Sequence, residues 1–282
     1  MHPEIFSIGP ISVKAYGLML AISFFVGVFL VIKRAQKFGI PPVKIIDLSL
    51  VILISAIVGS RFFYVIYHLD EFKGSWLDVI NPFQSTGVVG IAGLSMMGGV
   101  VLVLISSIIA IKVWKLPFWR TLDVFSPAFP LGMGITRIGC FLNGCCYGTP
   151  TDWFWGVTFP EECAAGWHYH NTHIHPTQLI SSIAGFAMFA VLILLERKRK
   201  FAGFTFFMML IFYSAFRFTI DFFRYYEPSM VFTTIGGVDI SNNQLISFII
   251  FIIASVALIR KARCNNDNEG ISGNNDVIAP AE

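Results

Sequence analysis

Apolar runs separated by short charged loops set the pattern of this chain. The runs near 15–32, 46–67, 89–111, 121–141, 177–195, 203–223 and 244–259 are each about 20 residues long, the length at which a helix crosses the hydrocarbon core of a bilayer. Read as helices, they predict an all-α polytopic integral membrane protein with seven transmembrane helices and a small outer-face loop region. The fourth run is the weakest of the seven, because Pro127 and Pro130 interrupt it, and proline removes a helical hydrogen bond wherever it falls in a helix interior.

Composition agrees with the pattern. The chain has 282 residues, of which 55% are hydrophobic and 13% charged, and its mean hydropathy of +0.71 lies outside the range of soluble domains. Basic residues follow alternate runs: Lys33, Arg34, Lys37 and Lys44 the first, Lys112, Lys115 and Arg120 the third, Arg197 to Lys200 the fifth, and Arg260, Lys261 and Arg263 the last. These make 14 of the 20 basic residues, so the positive-inside rule puts those loops in the cytoplasm and the N-terminus outside. The net charge of +3 then reflects topology, and nucleic acid is not an expected partner. Lys14 and the first run lead into a basic loop without a small-residue cleavage site, so the first run is expected to stay as a span. Residues 1–263 read as one seven-span domain whose outer loop region lies at about 142–176. Residues 264–282, rich in Asn, Gly and acid, read as a disordered cytoplasmic tail.

Four arginines, Arg61, Arg137, Arg217 and Arg224, lie inside or at the edge of apolar runs. An ionisable group at membrane depth is costly and usually faces an interior cavity, where guanidinium suits an anionic head group. Around Arg137, five glycines in the seventeen residues 132–148 let backbones approach and expose amides beside the charge. Close packing of small residues explains those glycines equally well, but it does not explain Arg137. Arg217, Asp221 and Arg224 are spaced four and three apart and share one helical face, where a single carboxylate can neutralise only one of two guanidinium groups.

The segment 142–176 carries four of the six histidines and three of the five cysteines. Cys140, Cys145, Cys146 and Cys163 fall at or beyond the outer face, where a disulfide can form; small-residue packing in a Gly-rich turn is the plainer reading. His168, His170, His173 and His175, with Glu161, Glu162 and Cys163 nearby, lack the spacing of a defined metal site and read as loop histidines. No metal and no cofactor is assigned. His175 stands apart at the mouth of the fifth run, followed by Pro176-Thr177-Gln178-Leu179.

Taken in order, these strings resemble the prolipoprotein diacylglyceryl transferase family. Its signature G-R-x-G-N-F-x-N-x-E-x-x-G is matched by Arg137, Gly139, Phe141, Asn143 and Gly148. The likeness extends through Ile5 to Pro10, Tyr16 to Met19, Gly98-Gly99, Asp123, Pro127, His175 to Leu179, and Tyr213 with Phe216-Arg217-Phe218. The departures are specific. Cys140 replaces the usual Asn, Cys145 the frequent Glu, Thr136 a glycine, Met97 a common His, and Ile180-Ser181 a Tyr-Glu pair. A thioether takes up no proton at neutral pH, so no general base can operate at Met97.

The resemblance implies an enzyme of the bacterial cytoplasmic (inner) membrane, its C-terminus in the cytoplasm. It would move the diacylglyceryl group of phosphatidylglycerol to the lipobox cysteine thiol of a prolipoprotein signal peptide, with membrane lipids as surroundings and glycerol 1-phosphate as the second product. Arg137 and Arg217 are expected to clamp the phosphate, with Arg224 and Arg61 as further candidates. Tyr16 and Tyr213 would orient the head group, His175 would take the thiol proton, and Asn143, Gly148, Gly98 and Gly99 would line the substrate site. A non-catalytic lipid- or lipoprotein-binding relative and a small-anion transporter are the competing readings, the latter disfavoured because no internal repeat is evident.

Overall fold

The structure is a computed structural model that describes residues 4–8, 11–72, 79, 93, 95–227, 230–235 and 238–275. The helices are α1 (Ala15–Lys37), α2 (Pro42–Tyr67), α3 (Met96–Val113), α4 (Phe118–Phe125), α5 (Ala128–Asn143), the short α6 (Ala164–His168), α7 (Thr177–Glu196), α8 (Phe204–Ile220) and α9 (Asn242–Asn275). Among the described residues two two-stranded sheets accompany them, β1 (Glu4–Ile8) with β2 (Ile11–Lys14) and β3 (Val231–Ile235) with β4 (Val238–Ser241). β3 and β4 are antiparallel, pairing Val231 with Ser241 and Ile235 with Val238, with an irregularity between Val231 and Thr233.

Among the described residues, six helices are long and apolar enough to cross a membrane: Ala15–Lys37, Pro42–Tyr67, Met96–Val113, Thr177–Glu196, Phe204–Phe223 and Asn242–Cys264. The protein is therefore an α-helical, multi-pass membrane protein. Of the seven expected runs, that at 121–141 is not a single helix. α4 stops at Phe125 and α5 starts at Ala128, with Pro127 as its N-cap and Pro130 in its first turn, where a missing amide leaves no intrahelical bond unmade. The expected start of the third run at 89 lies outside the described residues, and α3 opens at Met96.

The chain forms two units. One comprises Met1–Ile5, Val13–Gly27 and Leu122–Glu282, the other Phe6–Ser12 and Val28–Thr121. In the second unit α2 and α3 meet through small residues, and a Cβ added at Gly98 would strike the Gly59 carbonyl oxygen and Phe63, the close approach expected where lipid supplies no driving force for association.

In the first unit, Ser182 Oγ on α7 donates to Gly134 O on α5 at 2.7 Å. Asp123 of α4 is buried and accepts the Gly203 and Phe206 amides at 2.6 and 2.9 Å, satisfying donors that the first turn of α8 leaves without partners. α9 starts with a capping box: Ser241 N donates to Gln244 Oε1 at 2.8 Å and Gln244 N to Ser241 Oγ at 3.1 Å. The loop between α5 and α7 has its own small core of Phe159, Cys163, Ala165 and Ile174, joined by Phe141, Tyr147, Val157 and Tyr169. Bridges of Pro150 and Val157 with Ile174 and of Gly148 with Arg224 tie it down.

Candidate functional site

The glycine-rich turn after α5 builds the first half of the site. Gly144 ends the helix in the left-handed region at φ 68° and returns its amide toward the Cys140 and Phe141 carbonyls, a termination glycine adopts without strain. Cys146 is also left-handed, at φ 59°, which is uncommon for a side chain with a Cβ and needs surrounding structure to hold it. That structure comes from the first turn of α7. Buried Thr177 donates its hydroxyl to Cys146 O at 2.9 Å, and buried Gln178 donates its amide to Cys145 O at 2.8 Å. The turn so held brings the Cys140, Cys145 and Cys146 sulfurs within 4.8 Å of one another. Arg137, one helical turn before Cys140, lies within electrostatic range of the Cys140 and Cys146 sulfurs. Asn143 stands beside Cys145 at the end of α5. Hydrogen bonds from the other two thiols, helped by the Arg224 and Arg137 guanidinium groups, hold the Cys146 thiol below the ordinary cysteine range despite its burial.

The end of α8 builds the second half. Arg217 Nη1 lies 3.1 Å from Asp221 Oδ1, with the two side chains 15% and 0% exposed, and Arg217 Nη2 donates to the Tyr226 hydroxyl at 2.8 Å. Asp221 Oδ2 also accepts Ser241 Oγ at 3.2 Å, so the α9 capping box is joined to the ion pair. Asn243 Nδ2 reaches the same Tyr226 hydroxyl at 3.4 Å. The Arg224 guanidinium sits 5.2 Å from the Tyr226 ring centroid, a cation–π distance. Its Nε is buried and meets no acceptor among the described residues. A cavity of about 190 Å³ opens here, lined by Cys146, Tyr147, Arg224, Tyr225, Tyr226, Glu227 and Met230. Burial pushes the Tyr226 hydroxyl above its ordinary value, opposed by Arg224 and Arg217. It is therefore a neutral donor or acceptor at physiological pH.

Sequence-expected residues fall into three groups. Arg137, Asn143, Arg217 and Arg224 belong to these two halves, and Arg224 rather than Arg137 or Arg217 lines the cavity. Tyr213 packs edge-on against Phe129 at 5.0 Å within range of the Arg137 charge. Tyr16, 41% exposed, is within electrostatic range of the three thiols and Arg137. Gly148 supports the site through its backbone, since a Cβ there would sit 2.5 Å from His175 O and 2.6 Å from Phe223 O.

His175 is buried and accepts the Trp155 indole N–H at Nδ1, 3.0 Å. Desolvation lowers its pKa and favours the neutral ring, so the remaining proton sits on Nε2 and the free nitrogen is a donor. Arg61, Gly98 and Gly99 belong to the other unit. There Arg61 is buried and gives Nε to Val79 O at 2.9 Å and Nη1 to Gly93 O at 3.2 Å, with the Phe72 ring centroid 5.1 Å away. Met97, in the same unit, is 60% exposed.

The loop histidines do not converge. His168 packs among Tyr147, Tyr169 and Tyr225, His170 lies 3.6 Å from Glu161, and His173 faces Thr158. All five cysteines are free thiols. Tyr226, Asn243, Ser241, Thr177 and Gln178 were not expected in the site. The one advance signal was the Ser241-Asn242-Asn243-Gln244 string, whose spacing is that of a capping box.

Residues 3–260 match the sequence profile of the family described as prolipoprotein diacylglyceryl transferase. The chain belongs to that family. Relatives named phosphatidylglycerol–prolipoprotein diacylglyceryl transferase include those of Geobacter sulfurreducens, 29% identical over 93% of this chain and 96% of the relative, and Mannheimia succiniciproducens, 31% identical over 91% of each. That of Finegoldia magna is 32% identical over 90% of this chain and 92% of the relative. The similarity spans both halves of the site, so this family member carries Cys140, Cys145 and Cys146 within the matched region.

Proposed function

We propose that the protein transfers the diacylglyceryl group of phosphatidylglycerol to the lipobox cysteine thiol of prolipoproteins, forming a thioether and releasing glycerol 1-phosphate. The observation that carries this reading, beside the family, is that Arg137 and Arg224 flank Cys146 and Arg224 and Arg217 flank Tyr226, while the buried Asp221 carboxylate pairs with Arg217 alone of the three among the described residues. The acceptor thiol gives up its proton, its sulfur attacks the glyceryl carbon, the bond from that carbon to the phosphoester oxygen breaks, and the electron pair leaves on the departing phosphate. An excess of fixed guanidinium charge favours that state over the starting phosphodiester, because the donors are oriented before the reaction begins. Arg224 offers its unpartnered Nε from the cavity wall, and Arg137 approaches from α5. Arg217, aimed by Asp221 and Tyr226, completes the clamp.

Tyr16 and Tyr213 orient the head group. Asn143 and Gly148 shape the floor, and His175 fixes the outer loop through Trp155 and can donate from Nε2. Arg61, Gly98 and Gly99 serve the α2–α3 unit. The enzyme sits in the inner membrane with its N-terminus outside and the basic loops and C-terminus in the cytoplasm. Residues 1–263 form the catalytic domain and 264–282 a cytoplasmic tail. Nucleic acid has no part.

The reading is tested with purified protein, phosphatidylglycerol and a lipobox peptide, with mass spectrometry for the diacylglyceryl adduct. Arg137→Gln should lower adduct formation by about 10²–10³-fold, the effect of losing one preorganised donor, while the protein remains inserted. Undiminished product would reject the phosphate clamp.

A further inference from the structure

We propose that Cys140, Cys145 and Cys146 form a three-thiolate site for a thiophilic divalent cation of the zinc type, with its fourth position open to the acceptor thiol. The substrate half of this proposal rests on the transferase reading above; the metal half does not.

The sulfurs already lie within 4.8 Å of one another. Tetrahedral coordination at about 2.3 Å per Zn–S bond places ligand sulfurs about 3.8 Å apart, so side-chain rotation of roughly an ångström closes the set. One ligand comes from the last turn of α5 and two from the turn that follows, and that turn is fixed from outside by Thr177 and Gln178 at 2.9 and 2.8 Å. The backbone that carries Cys145 and Cys146 is thus oriented by neighbouring side chains, the kind of support on which metal ligands depend. Three thiolates and a dication leave one negative charge, which the adjacent Arg137 and Arg224 offset.

Small-residue packing explains buried sulfur, but not three sulfurs converging on a residue held in the left-handed region at φ 59°. A disulfide is the other use of converging thiols. It would consume two of the three and leave the third sulfur without a purpose.

Three protein ligands and an open fourth position form the catalytic arrangement of zinc sites, and a coordinating thiol is deprotonated outright. That supplies what the rest of the site lacks. His175 presents a donor rather than a base. On binding, the acceptor thiol releases its proton to water. Its sulfur lone pair then forms the bond to the glyceryl carbon as the carbon–oxygen bond breaks, and that electron pair leaves on the phosphate of glycerol 1-phosphate. The cation keeps its charge throughout, and the product thioether, a weaker ligand than a thiolate, dissociates.

The test uses the full-length protein in detergent, reduced, loaded with zinc or cobalt under anaerobic conditions and freed of excess metal. Expected are one equivalent of metal per chain, a thiolate-to-cobalt charge-transfer band, and protection of three of the five thiols from alkylation. Cys145→Ser and Cys146→Ser should lose the metal, Cys145→His should recover it, and Cys264→Ser should change nothing. A lipobox peptide should intensify the cobalt band, whereas its Cys→Ser counterpart should not, and chelation should slow lipidation by about 10²-fold or more. Substoichiometric metal on the unmodified protein, metal retained by Cys145→Ser, or full lipidation after complete metal removal would overturn the proposal. The last result leaves the transferase reading intact, whereas stoichiometric metal binding without any adduct overturns that reading and spares the metal site.

Discussion

The Arg217–Asp221 pair offers the sharpest separation of structure from chemistry. The Asp221 side chain is fully buried and Arg217 is 15% exposed, with 3.1 Å between them. In Arg217→Gln, the Asp221 carboxylate loses its guanidinium and is left with neutral hydroxyls, that of Ser241 at 3.2 Å and that of Tyr226, to answer a full buried charge. Removing one member of a buried pair costs about 3–5 kcal/mol, because the partner is left uncompensated. At ~2–4 °C per kcal/mol, the apparent unfolding midpoint in detergent should drop by on the order of 10 °C. Adding Asp221→Asn removes the orphaned charge and lets two amides meet, so the double variant should regain all but about 1–2 kcal/mol. If Arg217 binds the departing phosphate, lipidation stays depressed by about 10²-fold or more in both variants. The assay pairs a midpoint measurement with mass-spectrometric adduct counting on the same preparation. Recovery of lipidation in the stable double variant would show that Arg217 only supports the fold. An unmoved midpoint in Arg217→Gln would refute the energetic argument itself.

Three further perturbations probe the supports. Gly185→Ala places a methyl group 2.7 Å from Pro130 O and 2.8 Å from Gly134 N, so α7 and α5 must separate. Stability should fall by about 1–3 kcal/mol, and lipidation should fall with it because α5 carries Arg137 and Cys140; a native midpoint would disprove the tight crossing. Asp123→Ala removes the acceptor of the Gly203 and Phe206 amides and should cost about 1–2 kcal/mol, read as faster hydrogen exchange at the start of α8. His175 has its folded pKa lowered from 6.5 by desolvation, so below pH 6.5 the unfolded state binds the proton more readily than the folded one. Stability should be flat above that pH and fall as the solution is acidified through it. His175→Gln should remove this acid limb, and an unchanged slope would place the titration elsewhere.

Much of the architecture was legible from residue order alone, because bilayer thickness is a single length against which any apolar run can be measured. That yardstick predicted the membrane class and the approximate positions of α1, α2, α7, α8 and α9. It failed at 121–141, where hydropathy is blind to the backbone donors that Pro127 and Pro130 lack, and the run divides into α4 and α5. The arginines within the apolar runs pointed to an anion site for an equally local reason, since uncompensated charge in an apolar run is conspicuous wherever it stands.

Partners, by contrast, are a property of three dimensions. Asp221 pairs with Arg217 four residues away, which helical spacing foretells. Its bond to Ser241, the reach of Asn243 to Tyr226, and the exposure of Arg224 rather than Arg217 at the cavity depend on how α9 docks beside α8. In the same way, the order Cys140, Cys145, Cys146 gives three small residues near a turn. Only Thr177 and Gln178, arriving from another helix more than thirty residues later, turn them into three sulfurs facing one point. Residue order carries what spacing along one helix can carry, and the chemistry of this site arises where helices distant in the chain meet.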